Sequence, residues 1–489
     1  MVYVKTLFLG VDLTAERLSI YAFLIIIFMS SLGNKVTIIL TMLVLWLCGF
    51  TISRGENIDS QTITSKKLWS LEECINYALE NNIKIKMQES EIKISKLDHI
   101  NSILHIAPEI RLIGEHNLNW GRSVNIQDLE IVENRLSQLS SAALCGEITI
   151  FDGLQRERNI IGNRLAKEIE IVEYEELKNN IIIEITKSYL QLLLNKKILE
   201  AKSSNLEGTI SQRERTATLV EVGEQSYGAL LDMEAQLAWE RVEVATAQSR
   251  VDMEKLSLMQ LLNLNHETPF EIIEPQYGET LKGISIGYES VTDIASSLPE
   301  LRIKELECQV YKNQIGMAIG ALMPRVTLNG SLNTFVNDYH TNNIFQRMKS
   351  NLNPTVGVSI AIPIFSKSGN YLSVKRARIA FNRAKYSLAE RNQELVSKLQ
   401  RVVTDAEGYY RQYLAAEENL KAMSESFRIT SEKFNNGIVS STDYIVSKNN
   451  LHEAQANFLQ IKYQYIFQVK IIEFYENINN KKLGERYEK

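Results

Sequence analysis

The sequence predicts a mostly α-helical chain with a transmembrane β-barrel portion, and three observations lead to that fold class. Two proline-free runs, Phe151 to Leu264 and Phe365 to the end, carry apolar residues at three-and-four spacing, the stripe of a helix packed along a partner. An internal repeat relates the two runs. Segments beside each run alternate apolar and polar residues, which is the period of a β-strand.

The two halves of the chain share one plan. A shift of 214 residues places Phe151 on Phe365 and Gly223 on Gly437. A repeat of this length predicts two copies of one unit, each built from a helix, two strands and a long helical hairpin. The predicted divisions are a leader at 1–55, a first repeat at 68–265, a linker at 266–290, a second repeat at 291–478 and a polar tail at 479–489.

The helical pattern of each long run is interrupted once, by a glycine followed by small polar residues. The interruption lies at Val222 to Gly228 in the first run and at Asn435 to Ser441 in the second. Such clusters mark turns, so each run is predicted to form two long helices joined at a tight tip. The helix from Gln155 to Val222 would be about 100 Å long at ~1.5 Å per residue. One chain cannot bury an apolar stripe of that length, whereas a ring of chains can.

Four segments are predicted to be membrane strands. Thr355 to Phe365 alternates strictly over a length that suits a tilted transmembrane strand. Ala143 to Phe151 is its counterpart in the first repeat, and Pro108 to Gly114 and Pro324 to Asn333 supply the other two strands. A soluble antiparallel sheet with one wet face has the same pattern. The predicted lipid-facing residues are Leu144, Ile148, Ile150, Val356, Val358, Ile360, Ile362 and Ile364.

The same argument predicts the oligomeric state. An open sheet edge in lipid leaves unpaired backbone groups that each cost several kcal/mol, so four strands cannot span a bilayer alone. Three copies would close a barrel of about twelve strands, within the usual range. The expected architecture is a long α-helical barrel joined to a trimeric β-barrel. The polar stretches His116 to Ser140 and Asn333 to Pro354 are predicted to be loops between the strands.

The N-terminus has the composition of a targeting segment. Lys35 precedes an apolar run that ends at Phe50, and a second apolar run lies at about 20–32. Each is short for a transmembrane helix of ~20 residues, which favours a secretory signal with a true start at Met29 over a double leader or an anchor. Cleavage is expected between Thr51 and Gly55. Acylation of Cys48 is the alternative, although Leu47 precedes it where a small residue is usual.

Other features exclude whole classes of function. The net charge of -5 argues against nucleic acid as a partner. The six histidines are scattered without metal-ligand spacing, and there is no Walker A loop and no dinucleotide fingerprint. We therefore expect no catalytic, cofactor or metal site and no enzymatic activity. Cys74, Cys145 and Cys308 lack the spacing of a disulfide framework and are predicted to be small buried residues.

Four segments in order resemble the TolC-like outer-membrane factor family: WSLEECINYALENN (69–82), GEITIFDG (146–153), SIAIPIFSKSGN (359–370) and FNNGIVSSTDYIVSKNNL (434–451). The resemblance covers nearly all of the chain after residue 65. It implies a homotrimer in the outer membrane of a Gram-negative bacterium, extending into the periplasm. It also implies an exit duct for a tripartite efflux pump or a type I secretion system, working with a periplasmic adaptor and an inner-membrane transporter. A periplasmic or extracellular coiled-coil scaffold without a pore is the alternative.

The resemblance also implies roles for the tips. The glycine and small polar residues there would dock the adaptor, although the glycines could simply make the turns. Asp443 stands where some family members carry an acidic ring at the constriction, whereas Val446 replaces a second acidic residue. In the first repeat Ala229 takes the place of Asp443, and Asp232 is acidic. A gate of Asp443 with Asp232 is predicted, against the alternative of solvated charges. The predicted docking residues are Gly223, Ser226, Gly437, Ser440 and Ser441.

Overall fold

The computed structural model describes residues 67–124, 131–274, 288–338, 344–365 and 368–487. The predicted leader at 1–55, the Met29 start and Cys48 lie outside the described residues. No helix in the described ranges combines the length and the apolar composition that a membrane crossing needs. The elements are, in order, β1 (Lys67–Trp69), α1 (Leu71–Asn81), α2 (Ile83–Leu104), β2 (Glu109–Val124), β3 (Ile131–Phe151), α3 (Gln155–Glu221), α4 (Tyr227–Leu261), β4 (Phe270–Ile272), α5 (Tyr288–Ser297), α6 (Pro299–Gly320), β5 (Arg325–Asp338), α7 (Ile344–Ser350), β6 (Asn353–Ala361), α8 (Gly369–Asn435) and α9 (Ser441–Tyr487).

The repeated plan is visible in the elements. Helices α3 and α8 each have 67 residues, about 100 Å of helix, and each is followed by a tip and a second long helix. Two of the predicted boundaries differ from the structure. Phe270–Ile272, within the predicted linker, forms the strand β4, which pairs in parallel with β1. Most of the predicted polar tail at 479–489 continues α9, since that stretch contains no proline to break the helix.

Local sequence signals explain where the first helices begin and bend. Ser70 and Glu73 form a capping box, with the Glu73 N–H donating to Ser70 Oγ at 3.2 Å and the Ser70 N–H donating to Glu73 Oε2 at 2.9 Å. Asn82 ends α1 and caps α2, because its side chain accepts from the Lys84 N–H at 2.9 Å. In the second repeat Pro299 occupies the first turn of α6 and separates it from α5.

The four long strands form one antiparallel sheet in the order β2-β3-β5-β6. Its register aligns the predicted apolar positions on one face. Leu144 lies opposite Leu332, Ile148 lies opposite Leu328, and Leu328 in turn lies opposite Val358. Val356, Val358 and Ile360 are 83%, 62% and 63% exposed on that face. This face therefore presents a continuous apolar surface, as the predicted contact with lipid requires.

Three of the predicted face residues do not belong to this alternation. The strand β6 ends at Ala361, so the prediction that it continues through Ile362 and Ile364 is wrong. Pro363 has no N–H to donate, which stops the pairing there. Ile150 lies at a register shift between Thr149 and Phe151, and such a bulge breaks the regular alternation of side chains.

The predicted loops between the strands are also largely wrong. β2 continues through His116 to Val124, and β3 already begins at Ile131. In the second repeat β5 reaches Asp338 and the short helix α7 follows. His116 interrupts the apolar positions of β2, although Leu118 and Trp120 continue them on the same face. Backbone pairing with the neighbouring strand carries each strand past such a polar position.

Two large apolar cores lie between the helices of the described residues, one built mainly from each repeat. In the first, Ile185 and Tyr189 pack with Trp69 and Leu258, and the Tyr189 hydroxyl lies 2.5 Å from the carbonyl oxygen of Ile273. In the second, the main members are Val291, Leu298, Leu395, Leu399 and Ile471. Of the three cysteines in the described residues only Cys74 is buried, whereas Cys145 and Cys308 are half-buried, so the prediction for these two is wrong.

A close backbone contact joins the foot of the sheet to α6. Gly153 has a φ of 72°, and a Cβ built on it would overlap the backbone of Gly320. We expect Gly153→Ala to destabilise the protein by more than the ~1–3 kcal/mol of backbone strain alone. The measurement is the thermal midpoint of the purified protein. Gly208→Ala is the control, because that helical glycine has open space around it and alanine there should be neutral or stabilising. Equal midpoints for the two variants would contradict the role of this contact.

Candidate functional site

The two tips have the same backbone structure. Gly223 and Gly437 have φ values of 77° and 71°, the left-handed conformation in which helices commonly end on glycine. The Glu224 N–H then donates to the carbonyl oxygen of Leu219 at 2.8 Å, and the Ile438 N–H donates to that of Lys433 at 2.9 Å. The glycines therefore make the turns, as one of the two interpretations predicts. A Cβ on either would meet nothing within 4 Å, so both tips are open to an approaching partner.

The helix that leaves each tip is capped by a predicted docking serine. Ser226 Oγ accepts from the Ala229 N–H at 3.3 Å, and Ser440 Oγ accepts from the Asp443 N–H at 3.1 Å. The Asp443 carboxylate in turn accepts two hydrogen bonds from Ser440, one from the Ser440 N–H at 3.2 Å and one from the Ser440 hydroxyl at 2.7 Å. Asp443 thus completes a capping box. These hydrogen bonds hold the pKa of Asp443 below its ordinary value.

The two tips are tied to each other. Ser441 Oγ donates to Asp232 Oδ2 at 2.7 Å, which joins the start of α9 to α4. Beneath this contact Met233, Phe434 and Tyr444 form a small apolar core, with the two rings stacked at 4.8 Å. The structure therefore brings Ser441 to Asp232 and Ser440 to Asp443. Each of the two predicted gate carboxylates is exposed and has a serine partner of its own.

The apolar rim of the tips was not predicted from the sequence. Val222, Tyr227 and Ile438 are 65%, 65% and 70% exposed, beside the two glycines. Large apolar side chains within turns of otherwise small and polar residues are the signal that could have indicated them. An exposed apolar group rimmed by polar residues is typical of a surface that binds another protein.

A buried ion pair further along the helices was also missed. Lys448 Nζ lies 2.9 Å from Glu240 Oε1, and each side chain is 5% exposed. Eleven residues separate Lys448 from Gly437, about 16 Å along the helix. Among the ion pairs of the described residues, only this one has both side chains so deeply buried. Lys448 lies at helical spacing from Tyr444 and Leu451, so it is a charged residue within an apolar stripe. That interruption of the stripe is the signal that the sequence offers.

Hydrogen bonds complete this buried group. Thr209 Oγ1 donates to Glu240 Oε2 at 2.5 Å, Gln236 Nε2 donates to Glu240 Oε1 at 2.9 Å, and Lys448 Nζ donates to the carbonyl oxygen of Asn205 at 3.1 Å. Burial lowers the pKa of Lys448, and the hydrogen bond to Glu240 opposes that effect. The group joins α3 and α4 of the first repeat to α9 of the second, so it fixes how the two hairpins pack above the tips.

Comparison with known proteins agrees with this architecture. Residues 291–470 match the family model described as Outer membrane efflux protein. No curated protein matches the sequence significantly. The outer membrane protein VceC from Vibrio cholerae is similar in structure, with a TM-score of 0.68 and 15% identity over 83% of this chain and 95% of that chain. The CmeC outer membrane channel of Campylobacter jejuni has a TM-score of 0.71 and 16% identity over 85% and 88%.

A third solved structure is the open state of the MtrE outer membrane channel of Neisseria gonorrhoeae, with a TM-score of 0.66 and 15% identity over 84% of this chain and 88% of that chain. These likenesses show the fold, a TolC-like helical barrel with a β-barrel portion. The sequence match adds that residues 291–470, within the second repeat, form a domain of the outer membrane efflux protein type.

Proposed function

We propose that the chain is the outer-membrane exit duct of a tripartite efflux pump or a type I secretion system, acting as a passive homotrimeric channel. The observation that carries the proposal is the four-stranded sheet. In the described residues β2 pairs only with β3 and β6 only with β5, so both edges are free to pair with other copies. Unpaired edges are costly in lipid, and three copies make a barrel of usual size.

The second face of the sheet supports an aqueous interior. It carries polar and charged residues, with Arg111 Nε 3.3 Å from Glu109 Oε1 and Arg325 Nη2 3.8 Å from Glu147 Oε1. A cavity of about 1140 Å³ lies where this face meets the helices. In a closed barrel the apolar face would meet outer-membrane lipid and the polar face would line the channel. Long helices continue that channel into the periplasm.

The mass of the purified protein in detergent and its conductance in a planar bilayer test the duct together. A trimer that conducts supports the proposal. A monomer or dimer without current would instead favour a periplasmic or extracellular coiled-coil scaffold. Such a scaffold would explain the long helices, but it would not explain a sheet with one apolar and one polar face.

The tips are the proposed docking surface for a periplasmic adaptor that links the duct to an inner-membrane transporter. Gly223 and Gly437 leave room for a partner backbone, and the exposed apolar rim adds contact area. We expect Ile438→Asp to weaken binding of the adaptor from the same cell at least tenfold, because it places a charge in an apolar contact. The affinity is measured by titrating the adaptor over trimer that is immobilised on a sensor surface. Ile438→Val should bind normally, and equal binding by the aspartate variant would exclude Ile438 from the surface.

Asp443 is the proposed gate residue, with Asp232 as a second carboxylate. Rings of acidic side chains select for cations, so Asp443→Asn should lower the cation selectivity of the channel, measured as the reversal potential in a salt gradient. Asparagine still offers an oxygen that accepts hydrogen bonds from Ser440. The variant therefore removes the charge of Asp443 without removing the helix cap. Since hydrogen bonds from Ser440 hold the pKa of Asp443 below its ordinary value, the wild-type selectivity should persist when the pH is lowered from 7 to 5. Unaltered selectivity in the variant would identify Asp443 as a solvated cap.

A further inference from the structure

A cavity lies beside the buried Lys448–Glu240 pair, between α3, α4 and α9. Its volume is about 410 Å³, within the ~300–1,000 Å³ that small-molecule sites occupy. Glu240 forms part of its wall, so the cavity borders the group that joins the two hairpins above the tips. All of its lining residues come from this one chain, and the cavity therefore does not depend on a trimer.

Small side chains leave this cavity open. Ala201 of α3 and Ala456 of α9 both line it. One heptad away on the same helices, Leu194 and Tyr463 are buried members of the first apolar core. Residues one heptad apart lie on the same face of a packed helix, so space remains between α3 and α9 where alanine replaces the larger residues. The apolar wall consists of Ile198, Ala201, Trp239, Ala456 and Leu459.

The imidazole of His452 lines the cavity and has no partner in the protein. Within the described residues it makes no hydrogen bond and no ion pair. Burial lowers the pKa of His452 to about 4, and the charges of Lys448 and Lys202 lower it further, whereas Glu240 opposes them. The ring is therefore neutral at pH 7, and one of its two nitrogens can accept a hydrogen bond.

The charges around the cavity favour a cationic ligand. Lys202 pairs with Glu243, and Glu240 pairs with Lys448. Glu453 also lines the cavity, and no ion pair to it is present in the described part of the chain. Because Glu453 is exposed, its carboxylate lies at the mouth and not within the apolar wall. With the other charges paired, the cavity presents one uncompensated negative charge.

We propose that this cavity binds a small organic cation that has an aromatic body and a protonated amine. The aromatic body fills the space between Ala201 and Ala456, beside the Trp239 indole, the side chain to which cations are attracted most strongly. The amine donates a hydrogen bond to His452 and faces the carboxylate of Glu453. An apolar wall with a few convergent polar groups is the usual composition of a ligand pocket.

The test is isothermal titration calorimetry of the detergent-purified full chain at pH 7, with naphthylmethylammonium as the probe and empty micelles as the blank. Saturable binding of one probe molecule per chain is the expected result. Naphthylmethanol has nearly the same shape without the charge and should bind at least tenfold more weakly, and the anion naphthylacetate should bind more weakly still. No saturable binding of the cation, or equal affinity for the cation and the anion, would overturn the proposal.

Three variants locate the bound probe. Ala456→Leu fills the cavity, so it should abolish binding while its thermal midpoint without probe stays at or above that of wild type, as cavity-filling changes commonly stabilise a protein. Glu453→Gln removes the charge at the mouth and should weaken binding at least threefold. Glu476→Gln is the matched control, because Glu476 is an exposed carboxylate of the same helix that does not line the cavity. Wild-type affinity in Ala456→Leu, or equal affinities in Glu453→Gln and Glu476→Gln, would place the probe elsewhere and contradict the assignment.

Discussion

Lys448→Met should destabilise the protein by about 3–5 kcal/mol, the usual cost of removing one partner of a buried ion pair. The variant leaves the carboxylate of Glu240, which is 5% exposed, without its counter-charge. Denaturant unfolding of the purified protein in detergent measures the loss. Because the pair joins the two hairpins above the tips, we also expect the variant to show larger or noisier single-channel currents.

The double variant Lys448→Met with Glu240→Leu separates charge burial from packing. It should recover most of the lost stability, since apolar residues of similar volume often replace a buried pair without loss. Without Glu240 to accept its proton, the Thr209 hydroxyl can donate instead to the carbonyl oxygen of Asn205, which lies 3.1 Å away. Lys421→Met is the surface control, because Lys421 is 72% exposed in its pair with Glu417 and such pairs contribute about 0–1 kcal/mol. A loss at Lys448 no larger than at Lys421 would argue against a structural role for the buried pair.

Val358→Arg should prevent stable insertion into the outer membrane. Arginine on the lipid face of a barrel costs about 2–4 kcal/mol near the bilayer midplane, and a trimer would carry that cost three times. Heat-modifiable migration of the trimer and outer-membrane fractionation measure the outcome. Ser359→Arg is the control one residue away, on the polar face opposite Thr327, and should assemble normally. If both variants assemble equally well, the apolar face does not meet lipid.

Features that depend on neighbours in the sequence were predictable. The capping box at Ser70 and the turns at Gly223 and Gly437 follow from backbone preferences of a few adjacent residues. The apolar stripes of α3 and α8 follow from helical periodicity, and their repetition identified two copies of one unit. The alternation at Val356 and Val358 identified the apolar face of the sheet for the same reason.

Features that depend on pairing across space were not predictable. The strands extend past His116 and Asn333 because a neighbouring strand offers backbone groups that pair with them. β6 is shorter than its apolar alternation suggests because Pro363 cannot pair. The register shift at Ile150 likewise reflects how β3 and β5 fit together, which neither strand specifies by itself.

The sequence by itself determined the fold class, the repeat, the position of both tips and the faces of the strands, because each follows from local conformational preference and the period of apolar residues. Only the tertiary structure decided which charges are buried together. Lys448 and Glu240 are 208 residues apart, and one cavity is lined by glutamates from three separate helices, among them Glu173, Glu300 and Glu390. Whether a charged side chain is solvated, paired or left repelling its neighbours depends on the helices packed around it, and that packing is absent from the linear pattern.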